Sequence, residues 1–166
     1  FGSSWLSERS SIDEAAMVRG QTHGVTIPHD FGWVVMAVGS SQFMNIFLSV
    51  QVSMARKKYD VQYPTMYADA SKKDADKFNC VQRAHQNTLE TWAPVTILAL
   101  VNGLVYPKAS AALFGVWQLG RVIYGIGYAK GGPKGRMAGG ILSHLGDLPL
   151  MIMTFFTGAK LAKLTR

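Results

Sequence analysis

The chain has 166 residues, enough for one domain, and 48% of them are apolar while only 16% are charged, against roughly 25% charged in soluble domains. Its net charge of +7 does not point to nucleic acid: Lys and Arg gather at the ends of apolar segments, where long basic side chains reach the headgroups, and no basic stripe interleaved with aromatics occurs.

Residues 1–30 are polar and Ser-rich and read as an extramembrane N-terminal arm. Ser10-Ser11 can cap a short helix over residues 12–19, with Glu14 three residues after Ser11 as in a capping box. No secretory core of seven or more apolar residues occurs here. A start at Phe1 fits a targeting sequence already removed, a mitochondrial presequence being one candidate.

Residues 31–54 carry no Asp, Glu, Lys or Arg, about the length that crosses a ~30 Å hydrocarbon core. This first span ends at Arg56-Lys57-Lys58, and a solvated loop of about twenty residues follows, marked by Pro64, Asp69, Lys72-Lys73 and Asp74. A second span starts near Asp76 and stops before Pro107, polar in its first half and apolar in its second. Cys80, the single cysteine, falls in that polar half and is expected as a small buried hydrophobe. The Tyr106-Pro107-Lys108 link makes spans two and three antiparallel neighbours. Span three is expected to stop at Gly131-Gly132-Pro133, and span four to run over residues 139–163. Four such segments exceed what a soluble core of this size can cover. The expected fold is therefore all-α: an integral membrane four-helix bundle over residues 31–166. The two longer loops hold nine Lys/Arg against six on the other side, which places both termini on the non-cytoplasmic or non-matrix face.

Polar groups inside spans are costly and mark bundle interiors or cavities. Arg83, Asn87 and Glu90 share one face of span two, and Trp117, Arg121, Tyr124 and Tyr128 share one face of span three. Both faces lie at one membrane side, near Arg56, Lys57 and Arg136, and are expected to meet only in part. Arginines suit carboxylates, Glu90 an ammonium and Asn87 an amide, which together fit a small zwitterion with more than one carboxylate. The same spacing also fits a structural network, with Arg83 and Glu90 paired between helices and the tyrosines in an interfacial belt. His23, His29, His85 and His144 show no metal-ligand spacing, so no metal site is expected. His144 and Asp147 stand at i and i+3 and read as a buried packing pair rather than a proton relay. The Gly-rich residues 120–140 permit close helix contact.

The run Phe78-Asn79-Cys80-Val81-Gln82-Arg83-Ala84-His85-Gln86-Asn87-Thr88-Leu89-Glu90 resembles the signature of the MAPEG family, membrane-associated proteins of eicosanoid and glutathione metabolism. Supporting segments are Ala55-Arg56-Lys57-Lys58-Tyr59, Tyr63-Pro64-Thr65-Met66-Tyr67 and Gly120-Arg121-Val122-Ile123-Tyr124-Gly125-Ile126-Gly127-Tyr128. Within the family the chain looks most like the type-three microsomal glutathione transferases, over about residues 31–160.

The resemblance implies a four-helix subunit in a homotrimer, with glutathione as co-substrate held between subunits. By motif position it implies that Arg56, Arg83, Asn87, Glu90, Arg121, Tyr124 and Tyr128 bind glutathione and that Arg136 activates its thiol. A guanidinium beside a thiol of ordinary pKa, about 8.5, favours the thiolate. That thiolate would attack a lipophilic electrophile or reduce a lipid hydroperoxide arriving from the bilayer, in an endoplasmic reticulum or mitochondrial membrane. The chain departs from the pattern in three places. Thr91 stands where leukotriene C synthase-like members have a tyrosine, Arg136 is displaced by one residue with Lys134 nearby, and residues 1–30 have no counterpart. The alternative is a non-catalytic accessory or structural subunit packed among unrelated subunits of a larger (mitochondrial) membrane complex.

Overall fold

The computed structural model describes residues 27–163. A short 3-10 turn, His29–Phe31, leads into α1 (Gly32–Tyr59), followed by α2 (Ala75–Gly103), α3 (Pro107–Gly135) and α4 (Met137–Leu161). Most of the expected N-terminal arm, with the helix expected over residues 12–19, lies outside the described residues.

The four expected helices are present, with one correction. The loop after α1 is shorter than expected, residues 60–74, because α1 continues through its basic end to Tyr59. The expected stop of span three at Gly131-Gly132-Pro133 is where the helix breaks: Gly132 stands at φ 60° and ψ −152°, and residues 133–135 of α3 lie beyond that break. The chain reverses there, since a side chain at Gly127 would meet the Gly135 backbone. A residue with a side chain would be strained at that positive φ, so glycine makes the turn.

Segments His29–Tyr59 and Met137–Leu161 are long and apolar enough to cross a membrane, and only 22% of each one's most apolar stretch is buried in the subunit. The core helix of a soluble protein would be mostly covered. These helices instead turn Phe43, Ile46 and Met54, and Ile141, Leu145, Ile152, Phe155 and Phe156, outward. α2, at 29 residues, and α3 up to its break at Gly132 have the length to span as well, and Thr88, Asn102 and Arg121 are buried within the bundle.

Within a bilayer lipid tails are as apolar as leucine, so close packing and interhelical hydrogen bonds hold such helices together. α2 and α3 form the centre, with α1 against both on one side and α4 against both on the other. Met44 and Leu48 of α1, Val95 and Ala99 of α2, Phe114 and Trp117 of α3, and Leu150 of α4 make the shared core. The Phe114 and Trp117 rings stack at 5.5 Å. α3 and α4 approach most closely, because a side chain at Gly120, Gly139 or Gly146 would meet backbone of the facing helix. Buried Asn102 of α2 donates to the Leu150 carbonyl at 2.8 Å and the Thr154 hydroxyl at 3.0 Å, and accepts from Thr157 at 2.7 Å. That triad ties α2 to α4 at the end remote from the polar faces.

At the other end the 60–74 loop folds back on α2. The Asn79 side chain pairs with both backbone groups of Ala68, accepting at 2.8 Å and donating at 3.1 Å. Val61, Ala68, Phe78 and Val81 bury the contact.

Candidate active site

The polar faces of α2 and α3 meet more fully than their spacing suggested. Arg121, only 5% exposed, donates from Nη2 to Asn87 Oδ1 at 2.8 Å and from Nε and Nη2 to Thr88 Oγ1 at 3.0 and 2.8 Å. Its guanidinium also lies 4.2 Å from the centre of the Tyr124 ring. The fully buried Thr88 hydroxyl donates to the Ala84 carbonyl at 2.9 Å, so its oxygen is turned to accept from Arg121.

From the corner between α3 and α4, Arg136 donates to the Tyr124 hydroxyl at 3.3 Å and stands 5.1 Å from the Tyr128 ring centre. The two tyrosine rings meet edge to face at 5.7 Å. Asn87, Arg121, Tyr124 and Arg136 thereby line one cavity of about 370 Å³, completed by Thr91 and by Met137, Gly140, Ile141, His144 and Asp147 of α4. Lys134, the other basic residue near the end of α3, is exposed.

The remaining candidates stand apart from that cavity in the single subunit. Arg83 and Tyr128 line a neighbouring cleft of about 470 Å³ with Tyr67, Asp76, Asn79, Cys80 and Pro133. Cys80 is half-buried there rather than enclosed. Arg83 pairs with Glu90 at 2.9 Å along the same helix face, not between helices, and both are more than two-fifths exposed. Asn87 reaches back to Glu90 at 3.4 Å, which joins the two clusters along α2.

Arg56 is buried under the loop, donating to the Thr65 and Val61 carbonyls at 2.8 and 3.3 Å, with the Tyr63 ring 4.3 Å away. It lines a third cleft with Lys57, Gln62 and Tyr63. In one subunit it therefore anchors the loop, remote from Arg121.

His144 and Asp147 do pair, Nδ1 to Oδ1 at 3.1 Å, but the pair is not buried as expected: the His144 side chain is 64% exposed and Asp147 18%. Its helix face opens on the cavity because the neighbouring stripe of Gly139, Ser143, Gly146 and Leu150 takes the contact with the bundle. Nothing in the spacing of the sequence singles out Thr88. It neighbours Asn87, but one residue turns a helix by about 100°, so only the packing of α3 shows that both serve Arg121.

Chemically the cavity is cationic, with an apolar margin. Among the described residues neither Arg121 nor Arg136 is in an ion pair, and Asp147, which shares the cavity, is paired to His144 instead. A buried cation held only by neutral groups is costly unless an anion joins it. Met137 and Ile141, both about three-fifths exposed, give the same cavity an apolar edge on α4.

A profile of the MAPEG family matches residues 34–156 of the chain. A protein of Synechocystis sp. described only as uncharacterised is 32% identical over 122 residues, which cover 72% of this chain and 83% of that protein.

Proposed function

The chain belongs to the MAPEG family, and on that premise we propose that it is a membrane-bound glutathione transferase or peroxidase acting on lipophilic electrophiles or lipid hydroperoxides. The observation that supports this most is the Arg121–Arg136 cavity, which offers two cations without a paired carboxylate to an anionic ligand and an apolar edge to a lipophilic one.

In this reading Arg121, positioned by Asn87 and Thr88, takes a glutathione carboxylate. Asn87 and Tyr124 complete the polar wall, and Arg136 holds the sulfur as thiolate. One pKa unit corresponds to about 1.4 kcal/mol of preference for the ionised form, and a guanidinium within about 4–6 Å lowers a neighbouring acid by about 1–3 units. Arg136 thus favours the thiolate over the thiol. The Tyr124 hydroxyl, which accepts from Arg136, fixes where that charge sits.

Arg83, Glu90 and Arg56 join the site in this proposal through a homotrimer. Arg83 and Glu90 form an exposed charged strip on a membrane helix, a poor surface to leave against lipid, and a neighbouring subunit would cover it and complete the glutathione pocket from both sides. Purified protein in nanodiscs, assayed for glutathione conjugation and hydroperoxide reduction, tests the reading. Activity that falls in both Arg136→Ala and Arg83→Ala supports it; activity unaffected by either change refutes the assignment of the site.

A further inference from the structure

α4 holds an unexplained feature. Among its described residues the only titratable side chains before Lys160 are His144 and Asp147. Both lie in a helix apolar enough to cross a membrane, with His144 roughly 10 Å along the axis from Met137 at 1.5 Å per residue. Ionisable groups at such depth carry a cost and persist where they do something. This pair does not hold the bundle together: its hydrogen bonds are internal, Nδ1 to Oδ1 and Oδ2 at 3.1 and 3.3 Å, and α4 is tied to its neighbours by Gly139, Gly146 and the Asn102 triad. It is aimed instead at the cavity shared by Arg121 and Arg136.

A carboxylate on Nδ1 fixes an imidazole's orientation and leaves Nε2 unprotonated as the acceptor, the arrangement of a base held by an orienting acid. Resting on the glutathione reading above, we propose that His144 is the proton acceptor for the glutathione thiol and that Asp147 is its positioning residue. Arg136 stabilises the thiolate but, as a permanent cation, cannot take the proton. His144 supplies the missing partner. The thiol S–H bond breaks with its electron pair left on sulfur, and the proton passes to Nε2. The thiolate then adds to the β-carbon of an activated alkene, the π pair moves to the α-carbon, and that carbon takes the proton back from the imidazolium. Glutathione has added across the double bond and His144 is neutral again. The other charged or titratable groups facing the cavity are Arg121 and Tyr124 from α3 and Arg136 from the corner, while α2 presents neutral Asn87 and Thr91.

The test uses the full chain in nanodiscs and compares wild type with His144→Gln, His144→Gly and Asp147→Asn. Glutathione affinity by calorimetry and kcat/KM for conjugation of an activated alkene are measured across pH, the latter with and without added imidazole. General-base loss is expected to lower kcat/KM about a hundredfold or more and to remove the near-neutral limb of the pH profile. Glutathione affinity should stay within about threefold, added imidazole should restore part of the rate in His144→Gly, and Asp147→Asn should show a smaller loss of the same shape. A wild type that binds and conjugates glutathione, with an unchanged pH profile in His144→Gln or no imidazole rescue in His144→Gly, overturns this inference alone. A wild type with no saturable glutathione binding overturns the functional reading along with it.

Discussion

Arg121 of α3 and Asn87 of α2 are joined by a 2.8 Å hydrogen bond from Nη2 to Oδ1, which locks a nearly buried guanidinium at the interface of two membrane helices. The bond presets the cation before any ligand arrives, so little ordering remains to be done on binding.

Thr88 shares that task. Thr88→Val keeps the shape of the side chain and removes the oxygen that accepts from both Nε and Nη2 of Arg121. Hydrogen bonds to charged groups contribute about 1.5–3 kcal/mol, and the variant should lose about that much stability in thermal unfolding in mild detergent. An unchanged unfolding curve would mean that Arg121 is held by its other contacts.

Among the described residues the Arg136 side chain makes one hydrogen bond, to Tyr124, and Arg136 is half-buried. Arg136→Ala should leave folding nearly intact and raise the pKa of bound glutathione thiol by about 1–2 units. The guanidinium favours the ionised form, so its removal moves the pH dependence of thiolate absorbance upward. Arg136→Lys should fall between the two. Equal thiolate titration in all three would remove Arg136 from the chemistry.

Gly146 sits where a side chain would meet the Leu113 carbonyl and the Trp117 backbone on α3. Backbone cannot swing aside as a side-chain tip does, so Gly146→Val should cost about 1–3 kcal/mol or more through overpacking. The loss would appear as earlier thermal unfolding. Unaltered stability would show that α3 and α4 slide apart without penalty.

In the 60–74 loop, the Ser71 hydroxyl and N–H both bond Asp69 and hold its carboxyl below the usual carboxylate range. A depressed carboxyl stabilises the folded loop above its unfolded pKa, about 3.9, and that contribution fades as pH falls through the lower folded value. Carboxyl NMR should find Asp69 titrating below a short-peptide Asp, and moving up in Ser71→Ala. An Asp69 midpoint that ignores the substitution would assign the shift elsewhere.

Much of this was legible in the residues. The uncharged run 31–54, the Tyr106-Pro107-Lys108 link and the alignment of Arg83 with Asn87 and Glu90 announce four helices and a polar face on α2. What could not be read were features set by contact between helices. The stop at Gly131-Gly132-Pro133 was legible, but not that the chain reverses there tightly enough to bring Gly127 against Gly135. Arg56 looks like a ligand group, but the loop carbonyls that engage it come from nine or fewer residues downstream, through a fold-back with no periodicity to betray it. His144 and Asp147 read as buried because α4 is apolar. Only the small stripe at Gly139, Ser143 and Gly146 decides which side of α4 faces α3 and which faces the cavity.

Every role proposed for Arg121 and Arg136 depends on glutathione binding in their shared cavity. Calorimetric titration of glutathione into the purified chain in nanodiscs, wild type beside Arg121→Gln, addresses it directly. Losing a charge-assisted contact of about 1.5–3 kcal/mol should turn saturable wild-type binding into binding weaker by about ten- to hundredfold. Absent saturable binding in the wild type, or equal affinity in the two proteins, would contradict the account.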